Sequence, residues 1–302
     1  MDKNKISDFL TPDISYLLGL ITGRGEIQQN SDVKKIIIDF EYKSLESSGL
    51  TKKWNQKLHI QTSLDKIMVR LQNMGIHVVK NVSDKNISLV LKWVSEDISW
   101  IFIKFLINGT HHSYHDFEIP TAIFETNNEN KREFLRGLGD TTAYVRESNN
   151  LRFSSDDPKR HRVYIEITQK NWLLPAQICQ LLQTLAVPVQ NINYGHPNLR
   201  DSKNKKGNRF WAKEHQMKIY ADDFQQIGFY ITHKEEALSE LADHNKKEFS
   251  IKQALCDGSI KRSSTKPPHP DESDNTFPKG IKGKHFDSFK EICNCLNCYM
   301  QK

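Results

Sequence analysis

The chain has 302 residues, enough for two domains of ordinary size plus an appendage, and its 37% apolar and 26% charged content is that of a globular protein, not a disordered or membrane-embedded one. No apolar run reaches the roughly 18 residues of a membrane span, and Met1-Asp-Lys-Asn-Lys has no apolar stretch behind its charges. Neither a transmembrane helix nor a signal peptide is therefore expected, and the expected location is cytoplasmic. The net charge of +6 and the pI near 8.9 suit a polyanionic partner without requiring one.

The first predicted element is an apolar helix within Tyr16-Leu-Leu-Gly-Leu-Ile-Thr-Gly-Arg-Gly-Glu-Ile27, whose glycines lie along one stripe. Such a stripe lets a second backbone come very close, because no side chain intervenes. Strands follow at 26–31 and 34–43; in the second, Ile36, Ile38, Phe40 and Tyr42 alternate with an outward set of Lys35, Ile37, Asp39, Glu41 and Lys43. After a polar insertion come a helix over 63–75 that stops at Gly75, strands at 76–82 and 86–94, and a helix at 96–107.

A second copy of this order begins about 120 residues later, with Phe134-Leu-Arg-Gly-Leu-Gly-Asp-Thr-Thr-Ala-Tyr-Val145. Its helix spans 128–140, and its first strand, 143–153, offers Arg146, Ser148, Asn150 and Arg152. Strand 161–169 turns Val163, Ile165 and Ile167 to the core and Arg162, Tyr164, Glu166 and Thr168 outward. A helix from Asn171 to Ala186, strands at 189–195 and 215–220, and a helix from Asp222 complete it. The loop His196–Glu214 is rich in Lys, Arg and Asn and includes Arg200 and Arg209.

The unit αββαββα, written twice, is an α+β fold with antiparallel sheets that pack one face on helices and leave the other open. Two glycine helices predict an internal pseudo-dimer that joins a first repeat (1–115) to a second (116–245). Outward Lys, Arg, Asn, Gln and Tyr at every second position make a grid suited to base edges and phosphates; the plainer reading is a solvated sheet face.

Beyond residue 245 the composition shifts: 246–302 holds eleven Lys+Arg against seven Asp+Glu and four of the five cysteines. So polar a module buries too little apolar area to fold alone, and a structural Zn²⁺ would staple it. Cys256, His269, His285, Cys293, Cys295 and Cys298 are the candidate ligands, of which zinc would take four; the alternative is a plain basic tail carrying thiols. Cys179 lies in an apolar helix pattern and reads as core.

Residues 12–245 resemble the single-chain, two-motif LAGLIDADG homing endonucleases. The resemblance rests on Leu18-Gly19-Leu20-Ile21, on Ile119-Pro120 leading through Lys131-Arg132 to Phe134-Leu135-Arg136-Gly137, and on Ile227-Gly228-Phe229-Tyr230. It implies a monomeric pseudo-twofold saddle on double-stranded DNA, with an acidic residue near the end of each motif holding catalytic Mg²⁺. Those positions are Arg24 and Thr142 here, and neither is a charged oxygen ligand. Four carboxylates could take over. Glu26 and Asp140 lie near the motif ends, while Asp39 (or Glu41 beside it) and Glu166 hold matching places on the two second strands. Otherwise these acids read cytosine amino groups or pair with Arg24. Three functions follow: a site-specific endonuclease of homing or restriction type, a DNA-binding regulator that has lost cleavage, or an interaction module with an incidental basic tail.

Overall fold

The computed structural model describes residues 10–30, 33–54, 63–93, 97–107, 111–147, 160–197, 213–249 and 285–286. The first repeat runs α1 (Pro12–Arg24), β1 (Gly25–Gln29), β2 (Lys34–Glu41), α2 (Tyr42–Leu45), β3 (Ser47–Ser48), β4 (Lys53–Trp54), α3 (Asp65–Asn73), β5 (His77–Val82), β6 (Asn86–Trp93) and α4 (Ile98–Leu106). After α5 (Thr121–Glu125), the second runs α6 (Asn128–Thr142), β7 (Ala143–Arg146), β8 (Arg162–Thr168), α7 (Leu174–Thr184), β9 (Asn191–Pro197), β10 (Lys213–Tyr220), α8 (Ala221–Phe224) and α9 (Thr232–Phe249); β11 (His285–Phe286) follows.

The two long glycine helices start alike. The Thr11 hydroxyl accepts the Ile14 N–H at 3.2 Å and the Asn127 side chain accepts the Asn130 N–H at 2.9 Å, so each satisfies one donor that a helix start leaves unpaired. From Ser15 to Arg24 every residue of α1 is buried, because the helix lies between the repeats instead of on a surface. A Cβ on Gly19 would fall 2.0 Å from the Phe134 carbonyl oxygen and 2.8 Å from the Leu138 nitrogen. A Cβ on Gly137 would meet the Tyr16 oxygen at 2.2 Å and the Leu20 nitrogen at 3.1 Å. The contact is reciprocal: Gly19 sits over residues 134 and 138, and Gly137, which corresponds to it, sits over 16 and 20. That reciprocity is the signature of a twofold interface, here inside one chain.

The sheets repeat the same topology. The first has the order β1-β2-β6-β5 and the second the order β7-β8-β10-β9, and in both every pairing is antiparallel. Inner residues such as Ile36, Ile38, Phe40, Leu89 and Leu91 in one, and Val163, Ile165, Met217 and Ile219 in the other, form the core.

Several boundaries differ from the sequence reading. β2 stops at Glu41 because Tyr42 starts the helical turn α2, which carries Lys43 off the strand. The polar insertion contains that turn and the small β3–β4 pair. The closing helix expected from Asp222 is broken at Gly228, whose φ of +69° belongs to the left-handed region, and it divides into α8 and α9. β11, within the segment expected to stand apart, pairs with β9 and adds a fifth strand to the second sheet. No helix among the described residues is long and apolar enough to cross a membrane.

The end of α6 is tied down by a buried polar knot. The Asp140 carboxylate accepts from the Tyr16 hydroxyl (2.7 Å) and from the backbone N–H groups of Tyr230 (3.2 Å) and Ile231 (3.3 Å). The fully buried Lys234 ammonium donates to the carbonyls of Asp140 (2.8 Å) and Ala143 (2.7 Å). Burial pushes the Asp140 carboxyl up and pulls the Lys234 ammonium down, while their mutual attraction opposes both shifts.

Two histidines make stability depend on acid. His215 lies on the inner side of β10 against the Tyr194 ring, and His233 donates from Nε2 to the Leu45 carbonyl at 2.6 Å. Burial lowers their pKa values to about 3 and about 4. Below the ordinary histidine value the unfolded chain takes up protons that the fold refuses, so this contribution to stability is lost as pH falls. Relative to His215→Gln, the wild type is expected to lose up to about 1.4 kcal/mol per pH unit below roughly pH 6.5. Urea midpoints of both proteins at a series of pH values check this; a constant difference between them would show that His215 titrates normally.

Candidate nucleic-acid interface

Strand register fixes what the outer faces present. In the first sheet, the row farthest from Glu41 is Gln28, Lys35, Lys92 and His77. In the second, the corresponding row is Arg146, Arg162 and Tyr220, at the end opposite Glu214. Each sheet thus carries cations at its distal end. Between these ends the Tyr144 and Tyr164 rings stack at 5.1 Å, and the Arg146 guanidinium lies 5.3 and 4.7 Å from their centroids. Tyr164 and Glu166 do lie on the outward side, but they are not open to solvent: neighbours on the same face bury both.

The second strands hold matching carboxylates. Asp39 accepts from the Ser88 hydroxyl at 2.6 Å. Glu166 accepts from the Gln216 amide and the Tyr144 hydroxyl, each at 3.0 Å. Ser88 and Gln216 are the residues directly opposite on β6 and β10, so the arrangement is the same in both repeats.

At the junction of the repeats the pattern changes from rows to a cluster. The Lys43 ammonium lies 2.6 Å from Glu214 Oε1 and 3.1 Å from Glu41 Oε2. The Arg24 guanidinium lies 3.9 Å from Glu41 and 3.9 Å from Glu214, and 5.2 Å from the Tyr114 centroid. Glu214 is also hydrogen-bonded to Glu166. Burial and the neighbouring Glu166 raise the Glu214 pKa against the pull of Lys43. Burial also pushes Glu41 up, but Arg24 and Lys43 outweigh it and hold this carboxyl below its ordinary value. Burial works against the Lys43 ammonium, yet Glu214 and Glu41 more than offset it and its pKa rises. Two cations and three carboxyls, two of these hydrogen-bonded to each other, thus form a nearly self-neutralised group. Beside it, His115 Nδ1 lies 3.0 Å from the Thr168 hydroxyl.

The residues expected from the sequence to form the site are placed apart from one another. The carboxylates that converge are Glu41, Glu166 and Glu214; Asp39 stays on the first sheet with Ser88. Glu26 lies partly exposed on β1, opposite Ile37 and bridged to Ser113, and makes no ion pair with the cluster. Asp140 is buried in the knot at the end of α6, with its oxygens taken by Tyr16, Tyr230 and Ile231. Sequence periodicity starts this strand at His215 and leaves Glu214 in the loop; the alternation of Glu214, Gln216 and Lys218 with His215, Met217 and Ile219 is the signal for it. Asn150, Arg152, Arg200, Arg209, Cys256, His269, Cys293, Cys295 and Cys298 lie outside the described residues, and for His285 only the backbone pairing is described.

The donors do not suit a divalent ion. Lys43 and Arg24 engage the Glu41 and Glu214 oxygens that would face it, and Tyr144 and Gln216 hold Glu166. No group of three or more His, Cys, Asp or Glu among the described residues is arranged to hold a metal.

No family model matches the chain, and no curated protein matches it. Solved structures do. The chain is similar to LAGLIDADG structures. Full-length DUF199/WhiA from Thermatoga maritima shares 12% identity over 86% of this chain and 68% of its own, with a TM-score of 0.41. The N-terminal LAGLIDADG domain of DUF199/WhiA shares 12% over 75% and 90%, with a TM-score of 0.39. A mesophilic variant of the homing endonuclease I-DmoI shares 15% over 76% and 97%, with a TM-score of 0.35.

Proposed function

We propose that this chain binds double-stranded DNA along the joined outer faces of its two sheets. One observation carries the reading. Lys43, just beyond the outward end of β2, and Glu214, on the outward side of β10, meet across the pseudo-twofold axis, so the two faces run into a single surface with cations at both far ends. A duplex presents phosphates on both sides of its grooves, and a surface basic at its ends can engage backbone on either side while polar residues between them meet base edges. Gln28, Lys35, Lys92 and His77 serve one half; Arg146, Arg162 and Lys218 serve the other. Cleavage is not part of this reading, because Glu41 and Glu214 are engaged by the protein's own cations and Glu166 by Tyr144 and Gln216.

The test is salt. With a duplex of about 30 base pairs, log K should fall with log salt at a slope of several units, since each neutralised phosphate contributes about −0.9. Lys35→Gln with Lys92→Gln should reduce that slope by about two. Both substitutions are at surface positions and should leave the thermal midpoint near that of the wild type. A flat dependence, or a double variant with an unchanged slope, would overturn the assignment.

A further inference from the structure

We propose that Lys43, seconded by Arg24, is a built-in counter-ion at the centre of the DNA-facing surface, so that this protein holds DNA with no divalent cation. This rests on the DNA-binding reading above and adds to it how the acidic centre is reconciled with a polyanion. Glu41, Glu166 and Glu214 are drawn together where the two faces join, and three carboxyls there would repel a phosphate backbone unless a cation intervened. Lys43 intervenes in the structure itself. Its ammonium bridges Glu41 of one repeat and Glu214 of the other, at 3.1 and 2.6 Å, within the reach of charge-assisted hydrogen bonds.

Arg24 supports it from below. Its side chain is only 5% exposed and sits near the same two carboxylates, with its guanidinium over the Tyr114 ring. Lys43 keeps 29% of its side chain exposed, so it can face a phosphate while it stays bound to the carboxylates. An ammonium on a flexible stem supplies one positive charge and up to three donors, which suffices for neutralisation and contact. It supplies no bound water of lowered pKa, so it offers nothing that would activate a nucleophile.

Removing these cations should expose the site that they fill. In Arg24→Gln/Lys43→Gln, Glu41 and Glu214 lose their cationic partners and, with Glu166 close to Glu214, gain affinity for a hard cation. Mn²⁺ titration of the protein alone, followed by electron paramagnetic resonance, should show no site in the wild type and about one site in the double variant, with at least a tenfold gain in affinity. Duplex binding is then compared in EDTA and in about 5 mM Ca²⁺ at matched ionic strength. The wild type should be unchanged within about twofold, whereas the double variant should lose at least about tenfold in EDTA and recover it with Ca²⁺. Lys43→Arg keeps the charge and should behave as the wild type in both assays, which controls for folding.

A wild type that binds Mn²⁺, or that needs Ca²⁺ for DNA, overturns the proposal. So does a folded double variant that gains no Mn²⁺ site. A wild type that binds no duplex under any condition would instead sink the DNA reading, and the Mn²⁺ titration would still decide whether Lys43 and Arg24 stand in for a metal.

Discussion

Gly19→Ala should cost at least about 3 kcal/mol of stability, the upper range for forcing volume into a packed interior. The added methyl would sit 2.0 Å from the Phe134 carbonyl oxygen, and both partners are helix backbone, so neither can rotate away. Gly137→Ala meets the Tyr16 carbonyl in the same way at 2.2 Å and should cost a similar amount. Because both report on one interface, the double variant should lose less than the sum once the first change has pushed the helices apart. Gly75→Ala is the contrast. A Cβ there meets nothing within 4 Å, and only its φ of +79° is unfavourable, so about 1 kcal/mol is expected. Urea denaturation of the variants checks the ranking. Equal losses at Gly19 and Gly75 would mean that the close helix crossing is not what holds the repeats. The crossing also sets the spacing of the two outer faces, so any folded remnant of Gly19→Ala should bind DNA more weakly than its fraction folded explains.

The two-repeat architecture was legible because its signals are local. Glycines spaced along an apolar helix, alternation in Lys35–Glu41 and Arg162–Thr168, and the Gly75 stop all follow from backbone geometry within a few residues. The core face of β2 and β8 followed from the same alternation, and Ile36, Ile38, Phe40, Val163, Ile165 and Ile167 are all buried. The centre of the surface was legible only in part. That Arg24 would pair with a carboxylate could be foreseen from its charge, but Glu214 as its partner could not. The two lie about 190 residues apart, and their meeting depends on how β10 sits across the pseudo-twofold axis. Asp39, not Glu41, matches Glu166 in register, and Ser88 and Gln216 serve the two alike. The charge cluster departs from the symmetry: the positions corresponding to Arg24 and Glu41 in the second repeat are Thr142 and Thr168, and no periodicity within one strand reports such a difference.

The Asp140–Lys234 pair offers the second large effect and separates packing from chemistry. Asp140→Asn keeps the shape of the side chain but puts an amide NH2 where an oxygen accepts from Tyr16 or a backbone N–H, and it removes the through-space attraction to the buried Lys234 ammonium, so a loss of about 1–3 kcal/mol is expected. Lys234→Met should cost a similar amount, because it leaves the buried carbonyls of Asp140 and Ala143 without their donor. Combining the two removes both charges together. The double variant should therefore be more stable than the sum of the single losses implies, by about 1–3 kcal/mol of coupling, measured by urea denaturation of all four proteins. The competing role, a carboxylate that takes part in chemistry on DNA, makes the opposite forecast: Asp140→Asn would then fold as stably as the wild type and differ only in what it does to a duplex. The Tyr16 hydroxyl and two backbone N–H groups already fill the Asp140 oxygens, so the loss should appear in stability, with no Asp140-dependent change in the DNA bound by the molecules that remain folded.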